Sequence, residues 1–336
     1  MEFNNLALDI DGIERNYPDN AIEFFRDKKL CVFKACLEKY FPGVRWGILD
    51  LLEELQLNVE TCSNQSCCSG TFFQRNLITR AQFAAINERN LSELNQQADI
   101  VLFSCNGCYN SLMRGRDFLK SPDVRKKTEV ILDSLKEKAI TENYPGKYEI
   151  LENLKLKLCH DLDFIYLLKN SVLNTLKFDL KGLKVAVHYG CHYLNLSRDK
   201  KTIHSYLKDK TKLEELISLF GGKSIDYQER ESCCGWGASQ ILINPREALK
   251  VTYQKLKSAE NVGANFILMP CPTCLYTLSK PEYREKMHKW YGEKLDIPTI
   301  HLNELIAILR GCEEERCITL RRKTPRIDEI FEIITQ

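Results

Sequence analysis

Long apolar runs are absent from these 336 residues. Stretches such as Ile100 to Phe103 and Phe266 to Met269 fall far short of the roughly 20 residues that cross a bilayer, so no direct membrane span is expected. An excess of one charge is absent as well. The 48 Lys and Arg stand against 46 Asp and Glu, a formal net charge of +2, which gives no reason to expect nucleic-acid binding. The opening Met1-Glu2-Phe3-Asn4-Asn5 lacks the positive and apolar regions of a secretory signal. A cytoplasmic location is therefore expected, where cysteines persist as thiols and serve as metal ligands or redox groups. No Gly-x-x-x-x-Gly-Lys-Ser/Thr loop occurs, and the stretch Gly235 to Gln240 begins like a dinucleotide fingerprint but lacks its third glycine.

Cysteine, by contrast, is plentiful. Ten of the 15 follow one pattern written twice: Cys36, Cys67-Cys68 and Cys105-x-x-Cys108, then Cys191, Cys233-Cys234 and Cys271-x-x-Cys274. In both copies 36 residues separate the pair from the Cys-x-x-Cys, and 30 or 41 precede the pair. Packing does not explain vicinal cysteines at repeated spacing. A redox dithiol would use the Cys-x-x-Cys and leave the other three unexplained, a zinc ribbon needs only four ligands in two close pairs, and ferredoxin runs bring three cysteines within about eight residues. An iron-sulfur cluster of unusual geometry, able to use five thiolates, remains. The other five, Cys31, Cys62, Cys159, Cys312 and Cys317, read as packing or incidental residues.

The same duplication appears in the secondary-structure pattern. Strands are predicted at Leu30–Phe33, Leu57–Glu60 and Ile100–Phe103 in one half, and at Lys184–Val187, Ser224–Tyr227 and Phe266–Met269 in the other, with amphipathic helices between. Each half thus reads as βαβαβ with cysteines after strand carboxyl ends, where ligands collect in parallel sheets. The fold class expected is α/β: two tandem, pseudo-symmetric, Rossmann-like βαβαβ cysteine-rich domains, each binding an iron-sulfur cluster. The expected division is an N-terminal extension over 1–28, a first domain over 29–150, a second with linker helices over 151–310, and a solvated tail over 311–336 carrying Glu313-Glu314-Glu315 and Arg321-Arg322-Lys323. His188 and His192 are four apart, but a strand-to-loop change lies between them. They are weak candidates for proton delivery, with a structural role favoured.

The segments Phe33-Lys34-Ala35-Cys36, Ser66-Cys67-Cys68-Ser69-Gly70, Ser104-Cys105-Asn106-Gly107-Cys108, His188-Tyr189-Gly190-Cys191-His192, Ser232-Cys233-Cys234-Gly235 and Pro270-Cys271-Pro272-Thr273-Cys274 resemble the paired cysteine-rich CCG domains of heterodisulfide reductase subunits of the B type. The resemblance implies a noncubane [4Fe-4S] cluster on Cys36, Cys67, Cys68, Cys105 and Cys108 and another on Cys191, Cys233, Cys234, Cys271 and Cys274, with a different cluster or zinc possible at the second site. It also implies reduction of the mixed disulfide of coenzyme M and coenzyme B, a small anionic substrate, between the clusters. No flavin or pyridine-nucleotide site is evident, so electrons must come from partners. The resemblance implies a small ferredoxin-like subunit of the C type and a flavin-containing subunit of the A type. Two rivals stand beside this reading: an electron relay to a quinone or other acceptor in a succinate, lactate or glycerol-phosphate oxidising complex, and a non-catalytic zinc or cubane scaffold. Two departures from the family pattern stand out. The first pair is followed by Ser69 before Gly70, and Trp236 follows Gly235, beside the expected second cluster.

Overall fold

The computed structural model describes residues 6–18, 20–142, 148–198, 211–236, 240–311 and 325–336. Its strands form two four-stranded sheets, entirely parallel, with equivalent strand orders. The first is built from β1 (Leu30–Val32), β2 (Val59–Glu60), β3 (Ile100–Phe103) and β4 (Lys157–His160), in the order β2-β1-β3-β4. The second uses β5 (Lys184–Val187), β6 (Lys223–Ile225), β7 (Phe266–Met269) and β8 (Thr299–His301), in the order β6-β5-β7-β8. The central strands β3 and β7 are buried along their whole length, as a parallel sheet covered on both faces requires.

Registers match between the halves. Val32 pairs with Leu102 and Val187 with Leu268, and the next residues, Phe33 and His188, donate their N–H groups to Leu102 and Leu268 at 2.9 Å each. Phe33 and His188 therefore hold the same place in the two halves.

The six expected strands are present; β4 and β8 are additional. β4 lies beyond residue 150, yet it extends the first sheet, pairing Ile100 with Lys157 through Phe103 with His160. Its approach alternates buried Leu154, Leu156 and Leu158 with lysines, a period-two signal hidden in a Lys-rich stretch that otherwise reads as helix. The N-terminal extension docks on this strand: Ala7 bridges Leu158, and Leu8 donates to the Leu158 carbonyl.

The helices after β4 and β8 cross over to the opposite half. Leu302–Leu309, following β8, packs on Pro42–Glu54, between β1 and β2; Asp161–Leu167, following β4, packs on Lys212–Leu219, between β5 and β6. The first contact is close enough that a Cβ on Gly47 would lie 2.3 Å from the Asn303 carbonyl oxygen. The second carries a buried ion pair, Lys212 with Asp163 at 2.5 Å, and a Tyr166–Glu215 hydrogen bond of 2.6 Å.

Side chains from both halves thus share one core, running from Phe25 and Phe164 to Phe220, Ile300 and Leu305. Ile327–Thr335 joins it through Ile327, Ile330, Phe331 and Ile334, so this part of the expected solvated tail is a packed helix. The acidic and basic runs at 313–315 and 321–323 lie outside the described residues, as do Cys312 and Cys317. Cys159 is a buried core residue of β4. Cys31 and Cys62, expected as packing residues, are buried side by side with Cα atoms 5.8 Å apart.

Candidate metal centre

Each Cys-x-x-Cys sits where a buried strand turns directly into a helix. Cys105 follows β3 and caps Asn106–Phe118 in an extended conformation, leaving Cys108 in the first turn; Cys271 follows β7 and caps Pro272–Ser279, leaving Cys274 in the same place. At Cys271 the backbone N–H groups of Cys274 and Asn106 reach the sulfur, which favours its thiolate. Cys36 opens a short 3-10 turn, and Cys191 opens the helix Cys191–Arg198.

The cysteine pairs lie on loops after β2 and β6, held from one helix in each half. In the first half Asn87 Nδ2 donates to the Cys68 carbonyl at 3.3 Å, and in the second Thr252 Oγ1 donates to the Cys234 carbonyl at 2.9 Å. Directly after each pair the backbone turns left-handed, at Ser69 with φ 56° and at Gly235 with φ 97°. Ser69 therefore makes the turn that Gly235 makes, which explains how the first loop works with its glycine displaced. At Gly235 a side chain has no room, since a Cβ would lie 2.0 Å from Thr252 Oγ1.

All ten patterned cysteines line one cavity between the halves, partly open to solvent. Their thiols form an unbroken series of side-chain contacts. Cys36 meets Cys67, Cys67 meets Cys68, Cys68 meets Cys108 and Cys108 meets Cys105. Cys105 then meets Cys271 across the halves, and the run continues through Cys274, Cys234 and Cys233 to Cys191.

Charge along this run is uneven. Hydrogen bonds from Cys36 and then Cys68 push the Cys67 thiol down to about 2. Burial opposes ionisation of Cys271, but hydrogen bonds from Cys105 and Cys274 and from backbone N–H groups prevail and hold it well below the ordinary thiol value. The shared protons, burial and like charge push seven others up: Cys68 reaches about 11, and Cys36, Cys105, Cys108, Cys191, Cys234 and Cys274 stand higher than their ordinary value.

This donor set suits a soft metal or an iron-sulfur cluster in each half. The sulfurs are soft ligands, each group of five exceeds a tetrahedral zinc site, and a bound metal would replace the shared protons.

The two histidines part company. His192 lines the cavity, with Nε2 2.6 Å from Gln74 Nε2 of the first half and Nδ1 3.7 Å from Cys191 Sγ. The Gln74 amide can only donate there, which leaves the imidazole proton on Nδ1, facing the sulfur. His188 is instead buried behind the sulfurs, where its ring, Cys234 and Cys274 offer donor atoms within 4.8 Å of one another. Burial holds its pKa down to about 3 and keeps it neutral. The spacing of four does not make the two a metal-binding pair.

Trp236 lines the cavity as expected and meets Tyr276 edge-on at 6.1 Å. Sequence reasoning did not single out Gln74, Thr71, Asn106 or Thr273, which also line it. Asn106 and Thr273 were findable as the variable positions inside each Cys-x-x-Cys, and Asn106 Nδ2 reaches the Tyr189 carbonyl at 2.7 Å, tying the halves together. Nothing in the sequence marks Gln74.

The CCG cysteine-rich domain matches residues 30–113 and 185–279, more than half of the chain and one copy per sheet. The chain belongs to the CCG family. Among its relatives is the B-type subunit of the ferredoxin/F420H2-dependent CoB-CoM heterodisulfide reductase of Methanosarcina acetivorans, 26% identical over 84% of this chain and 89% of that protein. Another CCG relative is the 8-methylmenaquinol:fumarate reductase membrane anchor subunit of Wolinella succinogenes, 28% identical over 84% of this chain and 93% of that protein. Among solved structures, a hypothetical protein from Helicobacter pylori shares the fold with a TM-score of 0.59 at 14% identity, covering 96% of this chain, which spans 58% of that one. No helix among the described residues is long and apolar enough to cross a membrane.

Proposed function

We propose that this CCG protein is the catalytic iron-sulfur subunit of a heterodisulfide reductase, reducing the mixed disulfide of coenzyme M and coenzyme B to two thiols. The observation that carries this reading is the single run of ten thiols, joined across the halves at Cys105 and Cys271 and lining one cavity. Cleaving a disulfide takes two electrons and two protons: the S–S bond breaks, and each sulfur leaves as a thiol. Two [4Fe-4S] clusters of the noncubane type, held by the five cysteines of each half, would supply the electrons one at a time. The chain itself brings both sites to one enclosure, fixes the cysteine pairs through Asn87 and Thr252, and holds a proton at His192 Nδ1. A ferredoxin-like subunit of the C type and a flavin-containing subunit of the A type would deliver the electrons.

Anaerobically reconstituted protein should hold roughly eight iron atoms with matching sulfide. Oxidation in the presence of either thiol should give a thiol-dependent paramagnetic signal. Four or fewer irons with stoichiometric zinc would remove the two-cluster reading.

An electron relay to a quinone or similar acceptor is favoured instead by the fumarate reductase relative, and iron loading with no thiol-dependent signal would support it. A zinc scaffold draws on His188, Cys234 and Cys274, whose donor atoms suit zinc at the second site alone.

A further inference from the structure

The halves share a backbone plan, but they differ in charge behind the sulfurs. The helix that fixes each cysteine pair, Arg80–Gln97 in the first half and Pro245–Asn261 in the second, does so through Asn87 and Thr252. Three residues further on, the same helices place Asn90 and Lys255 under the loop that leads into each pair. Asn90 Oδ1 accepts from the Ser66 N–H at 2.7 Å and, more weakly, from the half-buried Arg89 guanidinium at 3.5 Å, whereas the fully buried Lys255 Nζ donates to the carbonyls of Glu229 and Arg230. On the strand side, Phe33 of the first half stands where His188 stands in the second. A neutral amide and a phenyl ring thus occupy the places that hold an ammonium and an imidazole in the second half.

Lys255 is fully buried, with its ammonium 5.3 Å from the centre of the Tyr227 ring. Burial pulls its pKa down to about 8, and the groups that oppose this are the sulfurs of Cys234, Cys274 and Cys233 and then the Glu229 carboxylate. A buried ammonium is tolerated where an anion balances it, and here that anion would be the second sulfur set once metal has displaced its protons. Adding an electron to a cluster on those thiolates makes the site more negative. A fixed positive charge in a dry, low-dielectric environment stabilises that reduced form more than the oxidised one.

We propose that Lys255, backed by the polar ring of His188, gives the second-half site the higher reduction potential, so that the first electron delivered rests on Cys191, Cys233, Cys234, Cys271 and Cys274. The electron comes from the one-electron donor that the proposed function already requires, and the first-half site fills second. This inference rests on the reading that both sulfur sets hold iron-sulfur clusters.

The test is a potentiometric titration of the anaerobically reconstituted full chain, followed by electron paramagnetic resonance, on wild type, Lys255→Met and Lys255→Arg. Loss of one signal in Cys191→Ala assigns the second site. Two transitions are expected in wild type, the upper one belonging to that site. Lys255→Met should lower the upper transition and leave the other in place, while Lys255→Arg should leave both in place. Should Lys255→Met hold no iron at the second site, Lys255→Gln takes its place in the titration with the same lowering of the upper transition expected, and an unmoved upper transition there overturns the proposal. The proposal fails if wild type shows a single transition or assigns the upper one to the first site. It also fails if the Met variant leaves the upper transition where it was or moves both equally, or if Met and Arg act alike. Wild type without iron would instead overturn the proposed function, and this inference with it.

Discussion

Ser69 and Gly235 perform the same left-handed turn in different surroundings, and this separates what backbone and side chain each require. Ser69 carries a side chain at its φ of 56°. Gly235 is closed in by Thr252 and by the Ala248 carbonyl. Gly235→Ala should therefore destabilise the protein by about 1–3 kcal/mol and reduce iron at the second site, measured by thermal unfolding and metal analysis of the reconstituted protein; unchanged melting with full iron would contradict the role given to this turn. The thiols make a second prediction at this scale. Cys68, pushed to about 11 against an ordinary 9.0, and its raised neighbours keep their protons at neutral pH until metal displaces them. Ferrous-ion affinity should accordingly rise with pH and go on rising above 9.0, with protons released on binding. Anaerobic metal titrations across pH would show this, and an affinity that levels off at neutral pH would count against it.

Among the elements, β1, β3, β5 and β7 were plain in the sequence because each is a short apolar run that ends a few residues before a ligand. β4 and β8 were not plain. Lys157–His160 is embedded in lysines, and Thr299–His301 is only three residues long. Both end in a buried histidine that accepts from the N–H two residues on, His160 from Leu162 and His301 from Asn303, each at 3.1 Å. Burial lowers both to about 4 and keeps them neutral. The helices they start carry the exchange between halves, which depends on Gly47 for close approach. Gly47→Val should destabilise the fold through overpacking against Asn303, by about 1–3 kcal/mol or more, read as a lower unfolding midpoint in denaturant. Preserved stability would show that the contact yields more easily than its geometry indicates.

For the molecule as a whole, the expectation of two tandem domains meets a fold in which each half completes the other. Leu302, Leu305, Ile306 and Leu309 are buried in the shared core, and so are Leu213, Leu216 and Ile217 on the other side. Exposing such residues loses about 1.5–3 kcal/mol apiece, so a chain cut between the Lys169–Leu173 helix and β5 should give fragments with no cooperative melt of their own. Co-expressed, the fragments should associate and melt together. Either fragment folding cooperatively alone would show that the exchanged helices are dispensable.

The sequence by itself determined the duplication, the ten sulfur donors and their placement after strand ends, since spacing and apolar runs are local properties. It also marked Trp236 as a neighbour of the second site. Only the tertiary structure decided that the two sulfur sets meet at Cys105 and Cys271 in one cavity, that Gln74 of one half fixes His192 of the other, and that a buried lysine, Lys255, stands behind the second set where the first has Asn90. These depend on how two sheets pack and which helices they exchange; the first two join residues more than a hundred positions apart, and none leaves a periodic trace along the chain.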